Sequence, residues 1–316
     1  MLDEREMRQV YTAKMIELAK RDESICLLEA DLMKSTGTSD FFNTFPERSI
    51  DVGIAESNMV GVAAGLAACG KKPFCASFTP FITRRCFDQI AISVCYSKLN
   101  VKLVGTDPSV MAEVNGGTHM SMEDVGIMRG LANMVIFEPI DATMLDKSLE
   151  DVVNYNGPLY MRLFRKKAEK VFDDSLKFDL FKGNTLSEGK DCMIIASGIM
   201  VAKAVEAVKI LKTQGINAGV LAIHTIKPID KESVIKAAEY AGAIVTCENH
   251  SIINGLGSAV AEVLSENCPT PLKRLGVNDR FGEVGRLPYL LETFKLTEND
   301  ICNAVKECIS LKNKRK

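Results

Sequence analysis

A chain of 316 residues, 47% apolar and 25% charged with a formal net charge of −2, has room for two hydrophobic cores and no charge excess to draw it to nucleic acid or an anionic membrane. Its longest apolar run, Met59 to Gly70, is too short to cross a bilayer and ends in Lys71 and Lys72. Acids at Asp3, Glu4 and Glu6 without an apolar stretch argue against a signal peptide, and ten cysteines scattered from Cys26 to Cys308 without a C-x-x-C pair read as free thiols of a reducing cytoplasm.

Along the chain, short β-rich runs alternate with helical patterns. Strands are expected at 25–31, 49–52, 73–77, 101–106, 134–138 and 158–163, with helices at 6–20, 57–69, 81–97 and 142–154. This alternation predicts βαβ units around mainly parallel sheets, an α/β fold. A charged, glycine-punctuated stretch from Arg165 to Lys190 reads as a linker. Beyond it the rhythm resumes, with apolar runs at 191–197, 219–224, 244–248 and 272–276 and helical patterns between them. The terminal lysines from Lys312 to Lys316 read as a solvated tail.

Several residues stand where chemistry could sit. Glu56 opens a segment of small and apolar residues, Met59 to Ala67. An acid in a first helical turn is explained by the helix dipole alone, worth about 0.3–1 kcal/mol. The segment is apolar nearly all round, however, so it reads as buried, and a carboxylate at the end of a buried helix is costly without a partner. Phe78 and Phe81 follow the strand at 73–77, at the carboxyl end where parallel sheets place ligands. Asp31 and Ser35 follow the first strand in the pattern A-D-L-x-x-S and would also serve as a simple loop cap. Asn115-Gly116-Gly117-Thr118-His119 predicts a tight loop carrying a lone histidine. Arg165 ends the strand at 158–163 and stands beside Lys166 and Lys167, so a solvated basic face competes with an anion clamp.

In their order, these segments resemble the transketolase family of thiamine diphosphate enzymes. The later His224-Thr225-Ile226-Lys227-Pro228, Glu248-Asn249-His250, Gly255-x-Gly257 and Asp279-Arg280-Phe281-Gly282 add to the likeness. The resemblance implies two parallel-sheet α/β domains: a pyrimidine-binding domain over 1–168, a linker over 169–188 and a transketolase C-terminal domain over 189–316. It makes Glu56 the catalytic carboxylate that contacts N1′ of the cofactor's aminopyrimidine. Phe81 stacks on that ring, and Phe78 and Asp31 complete the cofactor pocket. His119 is the second catalytic residue and meets the substrate, and Ser35, Asn115 and Arg165 bind the sugar phosphate. Where the family pattern has Asp, this chain has Asn115, which leaves the sugar hydroxyl contact uncharged. Arg84 and Arg162 receive no role. His224 and His250 read as packing or interface residues, and Gly255-x-Gly257 as close helix–strand packing rather than a phosphate loop.

The family's diphosphate site, a G-D-G followed by N-N that holds Mg²⁺, does not occur in this sequence. The chain therefore reads as the C-terminal subunit of a split transketolase, active only with an N-terminal partner subunit in an α2β2 heterotetramer. The implied reaction is ketol transfer from a phosphorylated ketose to an aldose, as in pentose phosphate and other carbohydrate metabolism, and a branched, apulose-type sugar remains open. The alternatives are a β subunit of a 2-oxoacid dehydrogenase, a deoxyxylulose-phosphate-synthase-like enzyme, and an inactive scaffold that kept the fold.

Overall fold

Strands of a parallel sheet are buried on both faces and read as continuous apolar runs. The computed structural model describes residues 1–314 and contains two such sheets. The first is built from β1 (Ile25–Glu29), β2 (Ser49–Asp51), β3 (Lys72–Phe78), β4 (Lys102–Thr106), β5 (Val135–Phe137), β6 (Leu159–Leu163) and β10 (Thr225–Lys227). They lie in the order β10-β5-β6-β4-β3-β1-β2. All neighbours are parallel except β10, which pairs antiparallel with β5. The second sheet consists of β7 (Asn184–Ser187), β8 (Cys192–Ala196), β9 (Ala218–Ala222), β11 (Ile244–Ser251) and β12 (Leu272–Val277), in the order β12-β11-β8-β9-β7. Only β7, against β9, runs antiparallel there.

The expected α/β architecture of two mainly parallel sheets is therefore present. The segment read as linker ends in edge strand β7. Strand β10 crosses back, so a short piece of the second half closes the edge of the first sheet. One apolar core runs through both halves: Leu27, Phe74 and Val104 from the first sheet join Ile194, Val220 and Val245 from the second in one packed cluster.

Buried polar groups also tie the halves together. Arg162, on β6 and 1% exposed, donates from Nε to Asp124 Oδ2 at 2.7 Å, from Nη1 to Glu138 Oε1 at 2.7 Å and from Nη2 to the Asn249 carbonyl at 2.7 Å. Tyr160 Oη donates to the same Asp124 at 2.7 Å. The Gly126 N–H donates to His250 Nε2 at 3.2 Å, and His224 Nε2 lies 2.9 Å from the Lys182 carbonyl. Both histidines are buried among packing partners, as expected. The Glu248 carboxylate accepts from the N–H groups of Leu256 and Gly257 at 2.6 and 2.9 Å, capping the helix Leu256–Asn267. A Cβ on Gly255 would meet Glu248 at 1.9 Å, so that helix start is closed by protein, and Gly255-x-Gly257 is close packing.

Three local expectations change. The helix Glu56–Ala68 buries only one face, with Met59, Val60, Ala63 and Ala64 inside while Asn58, Gly61, Gly65 and Ala68 are exposed. Small residues made its free face look like core. The helix expected over 81–97 is instead a short turn Thr79–Ile82, a 3₁₀ turn Arg84–Cys86, a turn Phe87–Gln89 and a π-helical stretch Ile90–Tyr96. Pro80 and the Thr83 backbone (φ −100°, ψ −87°) break the ladder there. At the other end, Lys312 lies in the helix Glu298–Asn313 and donates from Nζ to the Ala241 carbonyl at 2.5 Å, so it is not a free tail residue. Arg315 and Lys316 lie outside the described residues.

Candidate active site

Loops at the carboxyl ends of β1, β3, β4 and β6 converge, as the parallel order of those strands requires. Glu56 is the first residue of its helix and is 3% exposed. Phe78 is the last residue of β3, and Phe81 stands one turn later behind Pro80. The extended backbone of Phe78 (φ −63°, ψ 145°) turns the chain out of the sheet, and Thr79 Oγ1 pins the turn by donating to the Thr106 carbonyl at 2.8 Å.

His119 reaches this place on a loop whose glycines do two different jobs. Gly116 has φ +74°, where a side chain is strained. Gly117 instead permits a close approach, since a Cβ there would lie 2.4 Å from the Gly282 carbonyl oxygen. The resemblance-bearing segments 115–119 and 279–282 therefore pack on each other. The His119 ring meets Phe81 edge-on at 5.1 Å between centroids and Phe78 at 5.7 Å, while the two phenylalanines are 5.8 Å apart. Thr118 Oγ1 lies 2.9 Å from His119 Nδ1.

Two arginines lie over the two phenylalanine rings. The Arg85 guanidinium is 4.0 Å from the Phe81 centroid, and its Nη1 donates to both Glu56 oxygens at 2.8 and 2.9 Å. The Arg165 guanidinium is 4.8 Å from the Phe78 centroid. Arg165 forms an ion pair with Asp107, the residue after β4, and its Nη1 donates to the Ser35 carbonyl at 3.1 Å. Burial pushes the Asp107 carboxyl above its ordinary range, against the lowering pull of Arg165.

A continuous line of contacts thus runs Glu56, Arg85, Phe81, His119, Phe78, Arg165, Asp107. Five residues expected from the sequence stand in it: Glu56, Phe78, Phe81, His119 and Arg165. Ser35 joins through its backbone carbonyl rather than its hydroxyl. Asp31 stands at the exposed end of β1 with φ +58°, its N–H donating to Asp51 Oδ1 at 3.0 Å. Asn115 is exposed on the loop before His119. Arg84 turns away and pairs with Glu123 at 2.8 Å.

Sequence reasoning missed Arg85 and Asp107. Asp107 carried a usable signal, an acid directly after a parallel strand. Arg85 carried a weaker one, since only the fold separates it from Arg84. A half-buried aromatic face beside a buried carboxylate suits a planar heterocycle that offers N–H groups. Among the described residues, no group of three or more His, Cys, Asp or Glu side chains is arranged to hold a metal ion.

Comparison with known proteins gives a consistent set of likenesses. Residues 3–170 match the model of the transketolase pyrimidine binding domain, and residues 182–301 match that of the transketolase C-terminal domain. A 6-deoxy-6-sulfo-D-fructose transketolase subunit of Clostridium sp. (strain MSTE9) is 50% identical over 314 residues, 99% of this chain and 98% of the relative. An apulose-4-phosphate transketolase polypeptide of Phocaeicola vulgatus, one of that enzyme's subunits, is 36% identical over 303 residues, 96% of this chain and 97% of the relative. Among solved structures, a split gene transketolase described as an inactive β4 tetramer superposes with a TM-score of 0.91 at 45% identity, covering 97% of this chain and 99% of that one.

Proposed function

Since the chain belongs to the transketolase family, we propose that it is the C-terminal subunit of a two-chain transketolase and completes a thiamine diphosphate site with an N-terminal subunit. The observation that carries this reading is the buried Glu56 carboxylate beside the Phe81 face, with His119 against the same ring. The residues fit the pyrimidine end of that cofactor: Phe81 offers a flat apolar face and Glu56 an acceptor for a ring N–H. When bound, thiamine diphosphate supplies the electron sink for cleaving a carbon–carbon bond. Glu56 holds and shares a proton at the ring nitrogen, Phe78 and Phe81 exclude water, and His119 presents its imidazole N–H to substrate oxygens. The metal, Mg²⁺, and the diphosphate are assigned to the partner chain, which carries G-D-G…N-N, and the assembly is taken as α2β2 in the cytoplasm.

The donor proposed is a ketose with an anionic far end, of the 6-deoxy-6-sulfo-D-fructose kind named for the 50% identical relative. Arg165 supports this. Of its five N–H donors, Nε, one Nη1 and one Nη2 face Asp107 or Ser35. The two that remain, on a cation already paired with Asp107, suit a singly charged sulfonate better than a phosphate dianion.

The experiment is reconstitution with an N-terminal transketolase subunit, thiamine diphosphate and Mg²⁺. Ketol transfer is then measured from 6-deoxy-6-sulfofructose and from fructose 6-phosphate. Turnover in the mixture with preference for the sulfonated donor is expected. Glu56→Gln should lower kcat by about 100-fold or more with an unchanged melting temperature, the usual scale for a proton-handling group. A Glu56→Gln enzyme within about tenfold of wild type, under ~1.4 kcal/mol of barrier, removes the catalytic assignment. Preference for the phosphate donor replaces the sulfonate reading.

A further inference from the structure

We propose that Arg85 is a self-made plug of the pyrimidine pocket, lying on Phe81 and Glu56 in the place a planar heterocycle would take and leaving it before one can enter. The inference rests on the pocket assignment above and adds a gate to it.

The geometry is specific. A guanidinium is flat, carries N–H donors along its edge and stacks on aromatic rings. At 4.0 Å over the Phe81 centroid, with one nitrogen 2.8 and 2.9 Å from the two Glu56 oxygens, Arg85 makes both contacts by which an aminopyrimidine would be held. Neither aromatic neighbour of Phe81 is stacked flat on it: His119 is inclined at 62° and Phe78 at 59°. Arg84, the adjacent cation, is committed to Glu123 and reaches toward the Thr118 carbonyl at 3.5 Å, so it does not compete for Glu56.

The arrangement has a physical reason. Glu56 is buried, and a buried carboxylate without a partner is strongly disfavoured. Arg85 supplies the countercharge in the lone chain. Its own side chain is 46% exposed, so it can swing into solvent without disturbing packing. The backbone beneath it stays anchored, because Ser57 Oγ donates to the Arg85 carbonyl at 3.1 Å. The apparent affinity for a pocket ligand then falls by the fraction of molecules with Arg85 out.

The test is calorimetric titration of thiamine, and of its free aminopyrimidine fragment, into the full chain without partner. Wild type, Arg85→Lys, Arg85→Ala and Arg85→Ala/Glu56→Gln are compared, with thermal melting to verify folding. If the plug is out in about a tenth of wild-type molecules, Arg85→Ala should bind about tenfold more tightly. Arg85→Lys should fall between, since an ammonium cannot lie flat on Phe81. The double variant should lose the gain, because the freed ligand site needs Glu56. An Arg85→Ala chain that binds no better than wild type, or does not bind at all, overturns the plug. Weaker binding in Arg85→Ala also overturns it and makes Arg85 a ligand contact. The pocket assignment is judged separately by Glu56→Gln in the reconstituted enzyme, so a failed plug and a failed pocket give different results.

Discussion

At the scale of single residues, the site is governed by which charges are paired before any ligand arrives. Arg165 illustrates this, because its guanidinium fork is already held by Asp107 and the Ser35 carbonyl. Arg165→Ala should therefore do two things. It should raise KM for a sulfonated or phosphorylated donor by about tenfold or more while sparing an uncharged ketose, since a charge-assisted contact is worth about 1.5–3 kcal/mol. It should also lower stability, because Asp107 is left buried and alone, a loss of up to about 3–5 kcal/mol for a fully buried pair. Initial rates with charged and uncharged donors, together with melting curves, separate the two effects. A lower melting temperature with an unchanged donor ratio makes Arg165 a purely structural partner of Asp107.

At the scale of elements, β1 carries a titratable group that the site does not use. All five of its residues are buried, and Glu29 Oε1 accepts from the hydroxyls of Thr36 and Thr38 at 2.6 Å each. Among the described residues Glu29 Oε2 has no hydrogen-bond partner, and burial pushes the carboxyl from 4.5 up to about 8. Folded protein therefore holds this proton at pH values where unfolded chain has released it, so Glu29 makes stability fall as pH rises from about 4.5 to about 8. Glu248, also raised to about 8, acts in the same direction. His224 and His250, lowered by burial to about 4, act oppositely between about 4 and 6.5, and Lys102, lowered to about 7, acts oppositely above that. The sum is therefore less informative than a difference. The melting temperature of Glu29→Gln minus that of wild type should grow steadily from pH 5 to pH 8. A pH-independent difference would mean that Glu29 is ionised throughout.

At the scale of the whole molecule, two features decide how the chain behaves. The first is the Arg162 knot between the sheets, where one guanidinium satisfies Asp124, Glu138 and the Asn249 carbonyl. Arg162→Ala leaves two carboxylates buried without their cation and should cost about 3–5 kcal/mol in denaturant unfolding; a change below about 1 kcal/mol would show that Asp124 and Glu138 take up protons cheaply instead. The second is the surface around the site. Ile54 is 77% exposed, Ile92 61% and Tyr96 83%, and the neighbouring helix Glu56–Ala68 shows Gly61 and Gly65 with open space over both. This apolar, small-residue surface is where the partner subunit is expected to dock. Tyr96→Asp should leave the chain folded but prevent assembly with the N-terminal subunit, read by light scattering of the mixture. Unaltered complex formation would place the partner elsewhere.

The amino-acid sequence by itself already contained the α/β class and most of the strands along the chain, which follow from local signals, chiefly apolar runs of strand length. It singled out Glu56, Phe78, Phe81, His119 and Arg165 through the ordered segments that resemble the transketolase pattern, since each of them alone also had an ordinary structural reading. What it could not contain was anything depending on two distant segments meeting. The exposed face of the helix at Glu56 looked like core because Gly and Ala fit either setting, and only packing says which side is covered. Arg84 and Arg85 are adjacent in sequence, yet the 3₁₀ turn sends one to Glu123 and the other onto Phe81. Asp107 became visible as the partner of Arg165 only once β4 and β6 lay side by side. Strand β10 looked like part of the second half until it paired with β5. Local propensity acts over a few residues, whereas ion pairs, stacked rings and sheet edges are set by tertiary contacts between residues far apart in the chain.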